Sequence, residues 1–157
     1  MDERTWIVDA ANVIGARPDG WWRDRAGAAL RLHQRLSELW LPEHRRSELH
    51  PRASESDPDT SHQGAHHRAP AAQLVVVLEG VARAGVPAGP DPTIARLVVV
   101  HAVGSGDDAV VDQIHRQVGP VLVVTADREL RRRVAATGAA SVGPGWLWAL
   151  LDDARSR

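Results

Sequence analysis

The sequence predicts an α/β three-layer sandwich around a central parallel sheet, and three observations carry that prediction. Four apolar runs, Trp6-Ile7-Val8, Leu74 to Leu78, Leu97 to Val100 and Val121 to Val124, are too short for helices and rich in β-branched residues. Helix-length segments with apolar residues near a 3.6 period lie between or after them. The runs are apolar at every position rather than at alternate ones, the pattern of strands buried on both faces under covering helices.

A chain of 157 residues suits a single domain, 1–157, with enough core to need no staples. There is no cysteine, so disulfides, zinc–thiolate sites and thiol catalysis are excluded. All 19 basic residues are arginine. Without lysine there is no phosphate-loop lysine, no Schiff base and no lysine to neutralise an acyl phosphate. The formal net charge of −1 predicts no general polyanion affinity, although the distribution of charge can matter more than its sum. The charged start, Met1-Asp2-Glu3-Arg4, and the break at Asp9 fit neither a signal peptide nor a membrane span, so the expectation is a cytoplasmic protein.

Asp9 ends the first strand, and Gly15 to Gly20 reads as a loop from its glycine and proline. A long amphipathic helix is expected from about Trp22 to Trp40, burying Ala26, Ala29, Leu30, Leu32, His33, Leu36, Leu39 and Trp40, with Arg23, Arg25, Arg31, Arg35 and Glu38 mostly in water. From Pro42 to Ala72 the chain holds four prolines and five histidines, with Leu49 as its one large aliphatic residue. Such a segment cannot bury enough apolar area to offset its ordering entropy, so 42–72 reads as a mobile, disordered insertion. His62, His66 and His67 within it would give incidental metal affinity more readily than a built site.

The second strand, Gln73 to Leu78, is followed by Glu79. Gly80 to Pro92 reads as a loop or one helical turn, and a third strand spans Arg96 to Ala102. With Ser105 or Asp107 as N-cap, a helix runs to about Val118 with Val110, Val111, Ile114 and Val118 on one face. The fourth strand, Val121 to Val124, leads to Asp127. A helix from Arg128 to Thr137 is closed by Gly138. Ala139 to Val142 reads as a short edge strand, and a last helix, Trp146 to Ala154, packs Trp146, Leu147, Leu150 and Leu151 on the sheet.

Three strands thus end in Asp9, Glu79 and Asp127, and a helix opens with Asp107-Asp108. In a parallel sheet these termini share one edge, the crevice where α/β proteins bind ligands. Clustered carboxylates repel, so one or more must protonate or meet a cation. An oxygen-only donor set suits Mg²⁺ or Mn²⁺ rather than zinc, and such a site suits displacement at phosphorus by activated water. Ser105 and Thr125 lack an obvious paired base, so a covalent intermediate is disfavoured. Each acid also has a plain structural reading: a cap for any of them, a partner of Arg116 for Asp112, a turn residue for Glu79. Asn12 can bond a phosphate or merely close a loop, and His101 reads as a satisfied core histidine.

The segments Val8-Asp9-Ala10-Ala11-Asn12-Val13-Ile14, Gly106-Asp107-Asp108-Ala109-Val110-Val111 and Val123-Val124-Thr125-Ala126-Asp127-Arg128-Glu129-Leu130 resemble the three signature segments of the NYN branch of the PIN-like ribonucleases. The resemblance implies a sheet of order 3-2-1-4-5 and a metal-dependent carboxylate site that cleaves RNA. It implies Asp9, Asp107, Asp108 and Asp127 as metal-binding, catalytic acids with Mg²⁺ or Mn²⁺, and Asn12 as the substrate-orienting amide. The family often has Ala-Asp-Asp where this chain has Gly106-Asp107-Asp108, and the insertion after the first helix is not part of its pattern.

Arg128, Arg131, Arg132 and Arg133 form a basic run beside the acids, of which Arg128 and Arg132 are the candidates for RNA phosphate contact; Arg17, Arg23 and Arg83 fall near the same edge. Trp21 or Trp22 could stack on an unpaired base, or pack on the helix. The expected function is therefore a ribonuclease acting on single-stranded RNA. The alternatives are a catalytically silent RNA-binding module and a nucleotide phosphohydrolase. A phosphatase with an Asp-x-Asp nucleophile is disfavoured by Ala11, and a dinucleotide site by the lack of a Gly-x-Gly-x-x-Gly turn.

Overall fold

The computed structural model describes residues 4–41 and 73–156, so the expected insertion at 42–72 and its histidines lie outside the described residues. Five parallel strands, β1 (Thr5–Asp9), β2 (Gln73–Leu78), β4 (Leu97–His101), β5 (Val121–Val124) and β6 (Ala140–Val142), form the sheet with a two-residue antiparallel strand, β3 (Gly89–Pro90), at one edge. The spatial order is β3-β4-β2-β1-β5-β6, which for the parallel strands taken in chain order is 3-2-1-4-5, as the family resemblance implied. β1 lies at the centre, pairing Val8 with Val76 on one side and Val124 on the other. Among the described residues no helix is long and apolar enough to cross a membrane.

Each strand divides its side chains between two cores, because successive residues point to opposite faces. Trp6, Val8, Leu74, Val76, Leu78, Leu122 and Val124 meet α1 (Ala10–Gly15), α2 (Arg25–Trp40) and α5 (Pro144–Arg155) on one side. Ile7, Val75, Val77, Val121 and Val123 meet α3 (Gly106–Arg116) and α4 (Arg128–Ala136) on the other. Continued past the strand ends, that parity sends Asp9, Glu79 and Thr125 toward the α3 and α4 face.

Several boundaries differ from expectation for identifiable reasons. No element was expected between Asp9 and Gly15, where the structure has α1, a helix of six residues, too short to display a period; the expected loop follows it through Gly20. The long helix starts at Arg25, because Asp24 accepts a hydrogen bond from the Gly27 amide at 2.9 Å and caps it, while Trp21–Arg23 form a separate 3₁₀ turn. Its buried stripe is Ala28, Ala29, Leu32, Leu36 and Trp40; Leu30 is exposed, and Arg35, expected in water, is largely covered. α3 ends at Arg116 and leaves Val118 exposed, and α5 begins two residues before Trp146, at Pro144 in the first turn. The helical turn allowed for after Glu79 is a 3₁₀ helix, Gly80 to Gly85, whereas the edge strand Gly89–Pro90 is one a glycine- and proline-rich segment does not advertise.

Gly85, at the end of that 3₁₀ helix, lies close against α2. A Cβ there would lie 2.0 Å from the carbonyl oxygen of Ala26 in α2, a backbone atom that cannot step aside. Gly85→Ala is expected to destabilise the fold by about 2 kcal/mol or more, in the range of core overpacking, read from denaturant unfolding. An unchanged midpoint would show that the segment and α2 are not held at this distance.

Candidate active site

The C-terminal edge of the sheet gathers the acids. Asp9 is 5% exposed, and Thr125 is fully buried beside it on β5's extension. The Thr125 hydroxyl donates to Asp9 Oδ2 at 2.9 Å and its oxygen accepts from the Asp127 amide at 3.2 Å. Thr125 therefore does have an acid partner, contrary to the sequence reading, but both sides of its hydroxyl are engaged and it is sealed from solvent, so it serves as a strut. The Asn12 amide N–H also bonds the Asp9 carboxylate. The Asn12 side chain reaches across the edge, its Oδ1 accepting from the Ala126 amide at 2.8 Å.

Burial pushes the Asp9 carboxyl up from an ordinary 3.8 to about 6, assisted by the negative charges of Asp107 and Glu79 and opposed by Thr125 and Asn12. Asp107, in the first turn of α3, is also raised, by burial and by Asp127 and Glu79, with Arg133 opposing. The charges of Asp9, Glu79, Asp107 and Asp127 thus act on one another across four separate elements. Glu79 does more than start a turn. Its Oε2 accepts from the Gly106 amide at 2.7 Å at the start of α3, where the Ser105 hydroxyl accepts from Asp108 N at 3.2 Å. A Cβ on Gly106 would stand 2.9 Å from that Glu79 oxygen, so a larger residue here would move the Glu79 carboxylate.

Asp127 caps α4, its Oδ1 accepting from Leu130 N at 2.9 Å. Asp108 is the outermost acid, 71% exposed, and pairs with Arg133 at 2.9 Å. Leu130 and Val134 face the core, so at roughly 100° per residue Arg132 falls on the outer face of α4, where it pairs with Glu129. The structure therefore brings Arg133 and Arg131, not Arg132, toward the acids; Arg131 Nε donates to the Thr125 carbonyl at 2.9 Å. Arg128 is exposed at the first position of α4, beside Asp127. Arg83 bonds the carbonyls of Gly80 and Ala102 and His101 Nε2 lies 2.7 Å from the Val86 carbonyl oxygen, both structural uses, while Arg17 pairs with Asp152 away from the acids. Trp21 packs against the core while Trp22 is half exposed.

Among the described residues no three histidine or acidic side chains stand together as one ready coordination shell. The donor chemistry nonetheless fits a hard divalent cation: oxygen-only, mutually repelling, and arranged so that one or two carboxylates can act with water and substrate, the mode Mg²⁺ accepts.

The fold is an α/β sandwich around a mostly parallel sheet, consistent with a PIN-like fold. The chain is similar in structure to Rae1 (YacP) from Bacillus subtilis, seen in the crystal structure of a single-substitution variant, with a TM-score of 0.63 and 17% identity over 100% of this chain and 79% of that one. At that identity the likeness concerns the fold. No family model matches the chain, and no curated protein does.

The raised Asp9 pKa has a thermodynamic sign. Between about pH 4 and pH 6 the native state keeps a proton that the unfolded chain has released, so stability falls as pH rises through that window. Full ionisation costs on the order of 3 kcal/mol. In chelator at pH 7.5, Asp9→Asn is expected to melt above wild type by about 1–3 kcal/mol of stability, the gap closing toward pH 4. A variant less stable than wild type at every pH would show that the ionised carboxylate is a net stabilising strut.

Proposed function

We propose that the chain is a divalent-metal-dependent ribonuclease that hydrolyses phosphodiester bonds of single-stranded RNA at the Asp9–Asp107–Asp127 edge. The observation that supports this most is the mutual electrostatic perturbation of Asp9 and Asp107 by acids from separate elements, since a protein keeps repelling carboxylates together where a cation or phosphoryl chemistry uses them. Asp9, Asp107 and Asp127 would hold Mg²⁺ or Mn²⁺, with Asp108 contributing from the rim. A bound divalent cation supplies an activated water and offsets charge on the phosphate.

The residues of the chain have separable parts in this. Asp9 is the fixed member, pinned by Thr125 and Asn12. Asn12 Oδ1 is committed to Ala126, which leaves its Nδ2 to donate to a phosphate oxygen. Arg128 adds positive charge at an exposed position beside Asp127, and Arg133 holds Asp108 while offering its remaining donors to substrate. Because Asp108 is largely exposed and Asp107 and Asp127 are partly so, the edge is open to a polymer rather than enclosed around a free nucleotide.

Cleavage of single-stranded RNA is expected with Mn²⁺ or Mg²⁺ and not in excess chelator, and Asp9→Asn and Asp107→Asn should each lower it by about 100-fold or more. Undiminished cleavage in chelator would sink the proposal. Asp127→Asn separates two roles, because asparagine caps a helix as well as aspartate. Its melting temperature in chelator should match or exceed that of wild type, while the upward shift on adding Mn²⁺ shrinks. An unchanged Mn²⁺ shift would leave Asp127 as a cap alone.

A further inference from the structure

Arginines gather at a second place, on the side of the sheet opposite α3 and α4. Arg17, just after α1, Arg31 and Arg35 on α2, and Arg155 at the end of α5 line a cavity of about 370 Å³, together with Asp19 and Trp148. That volume is at the lower end of ligand-sized cavities. Two of the guanidinium groups are held in place before any ligand arrives. The Trp148 ring is fixed by its Nε1 bond to the Val13 carbonyl at 2.9 Å, and the guanidinium of Arg17 lies 4.1 Å, that of Arg35 5.5 Å, from its centroid. The Asp152 carboxylate accepts from both, at 2.8 Å in the case of Arg35, and the two arginines hold its pKa low.

The acceptors present do not exhaust the donors. Each guanidinium carries five N–H groups, yet Arg17 and Arg35 share one carboxylate, and Arg155 meets Glu38 only at 3.5 Å. Arg31 is exposed with no ion-pair partner among the described residues. Preorganised guanidinium groups with spare donors match a phosphate, whose oxygens accept from two N–H groups at once. The six residues of α1 and Ala16 connect Asp9 to Arg17, a backbone separation on the order of 10 Å, which a polymer spans more readily than a mononucleotide.

The geometry points to this cavity as an RNA exosite: Arg17, Arg31, Arg35 and Arg155 hold the phosphate backbone of a single strand away from the bond being cut. The assignment rests on the nuclease reading for its substrate, but its test does not use cleavage. A fluorescently labelled single-stranded RNA of about 12 nucleotides, within the span of single-strand sites, is titrated in chelator by anisotropy at several salt concentrations. The proteins are wild type, Arg31→Gln/Arg155→Gln, Arg31→Lys/Arg155→Lys, and Arg116→Gln as a control on α3. The glutamine pair is expected to weaken binding about 5–20-fold and to flatten the slope of log K against log salt by about 1.4, two lost phosphate contacts. The lysine pair should restore most of the slope, and Arg116→Gln should stay within about twofold of wild type, as expected for an arginine that touches no phosphate.

Equal binding by the glutamine pair and the Arg116 control overturns the exosite. So does a lysine pair as weak as the glutamine pair with an equally flat slope, since that result makes the arginines structural. Wild-type protein that binds RNA through these arginines yet cleaves none with Mn²⁺ overturns the nuclease reading and leaves the exosite standing. Cleavage with binding unmoved by the glutamine pair does the reverse.

Discussion

A single buried carboxylate organises the functional edge of this molecule. Asp9 ends the central strand with neighbours on both sides, so it cannot be solvated by water and must be satisfied by the protein. The solution joins three segments: Thr125 from the end of β5, the amide of Asn12 in α1, and through the Asn12 side chain the loop at Ala126. The loop after β5 is thereby set in place, and with it Asp127 and the start of α4. Even so its carboxyl stays above the ordinary carboxylate range, so ionising it costs more here than in water.

Much of this was legible in the sequence, because the governing rules are local. Unbroken apolar runs identified four of the parallel strands, and an acid after three of those runs pointed to one edge. The alternation within a strand even indicates the face: Ile7 with Asp9, Val77 with Glu79, and Val123 with Thr125 share parity, and all turn toward α3 and α4. Ser105 and the apolar positions Val110 and Ile114 likewise announced α3, and His101 proved to be the satisfied histidine its strand position suggested.

What escaped the sequence depends on contacts between distant segments. Nothing near Thr125 reveals that its hydroxyl meets Asp9, 116 positions away. Within the arginine run, the sequence carries no fixed helix phase; Leu130 and Val134 set it, turning Arg132 outward to Glu129 and Arg133 to Asp108, while Arg128 stays exposed beside Asp127. Arg35 looked like a solvated helix residue, and only the arrival of Trp148 and Asp152 from the far end of the chain covers it. The brevity of α1 and β3 hid them for another reason, since neither is long enough to show periodicity.

The two cores are unequal. The side formed by α1, α2 and α5 buries the larger set of apolar residues, including Trp6, Trp40 and several leucines, whereas α3 and α4 rest on the smaller one, chiefly valines. Less buried apolar area holds the second face than the first. Asp107 and Asp108 ride on a helix over that smaller core, whereas Asp9 belongs to the central strand and Asp127 follows a loop that Thr125 and Asn12 tie to it. The acid edge thus joins two carboxylates anchored to the sheet with two carried by a helix.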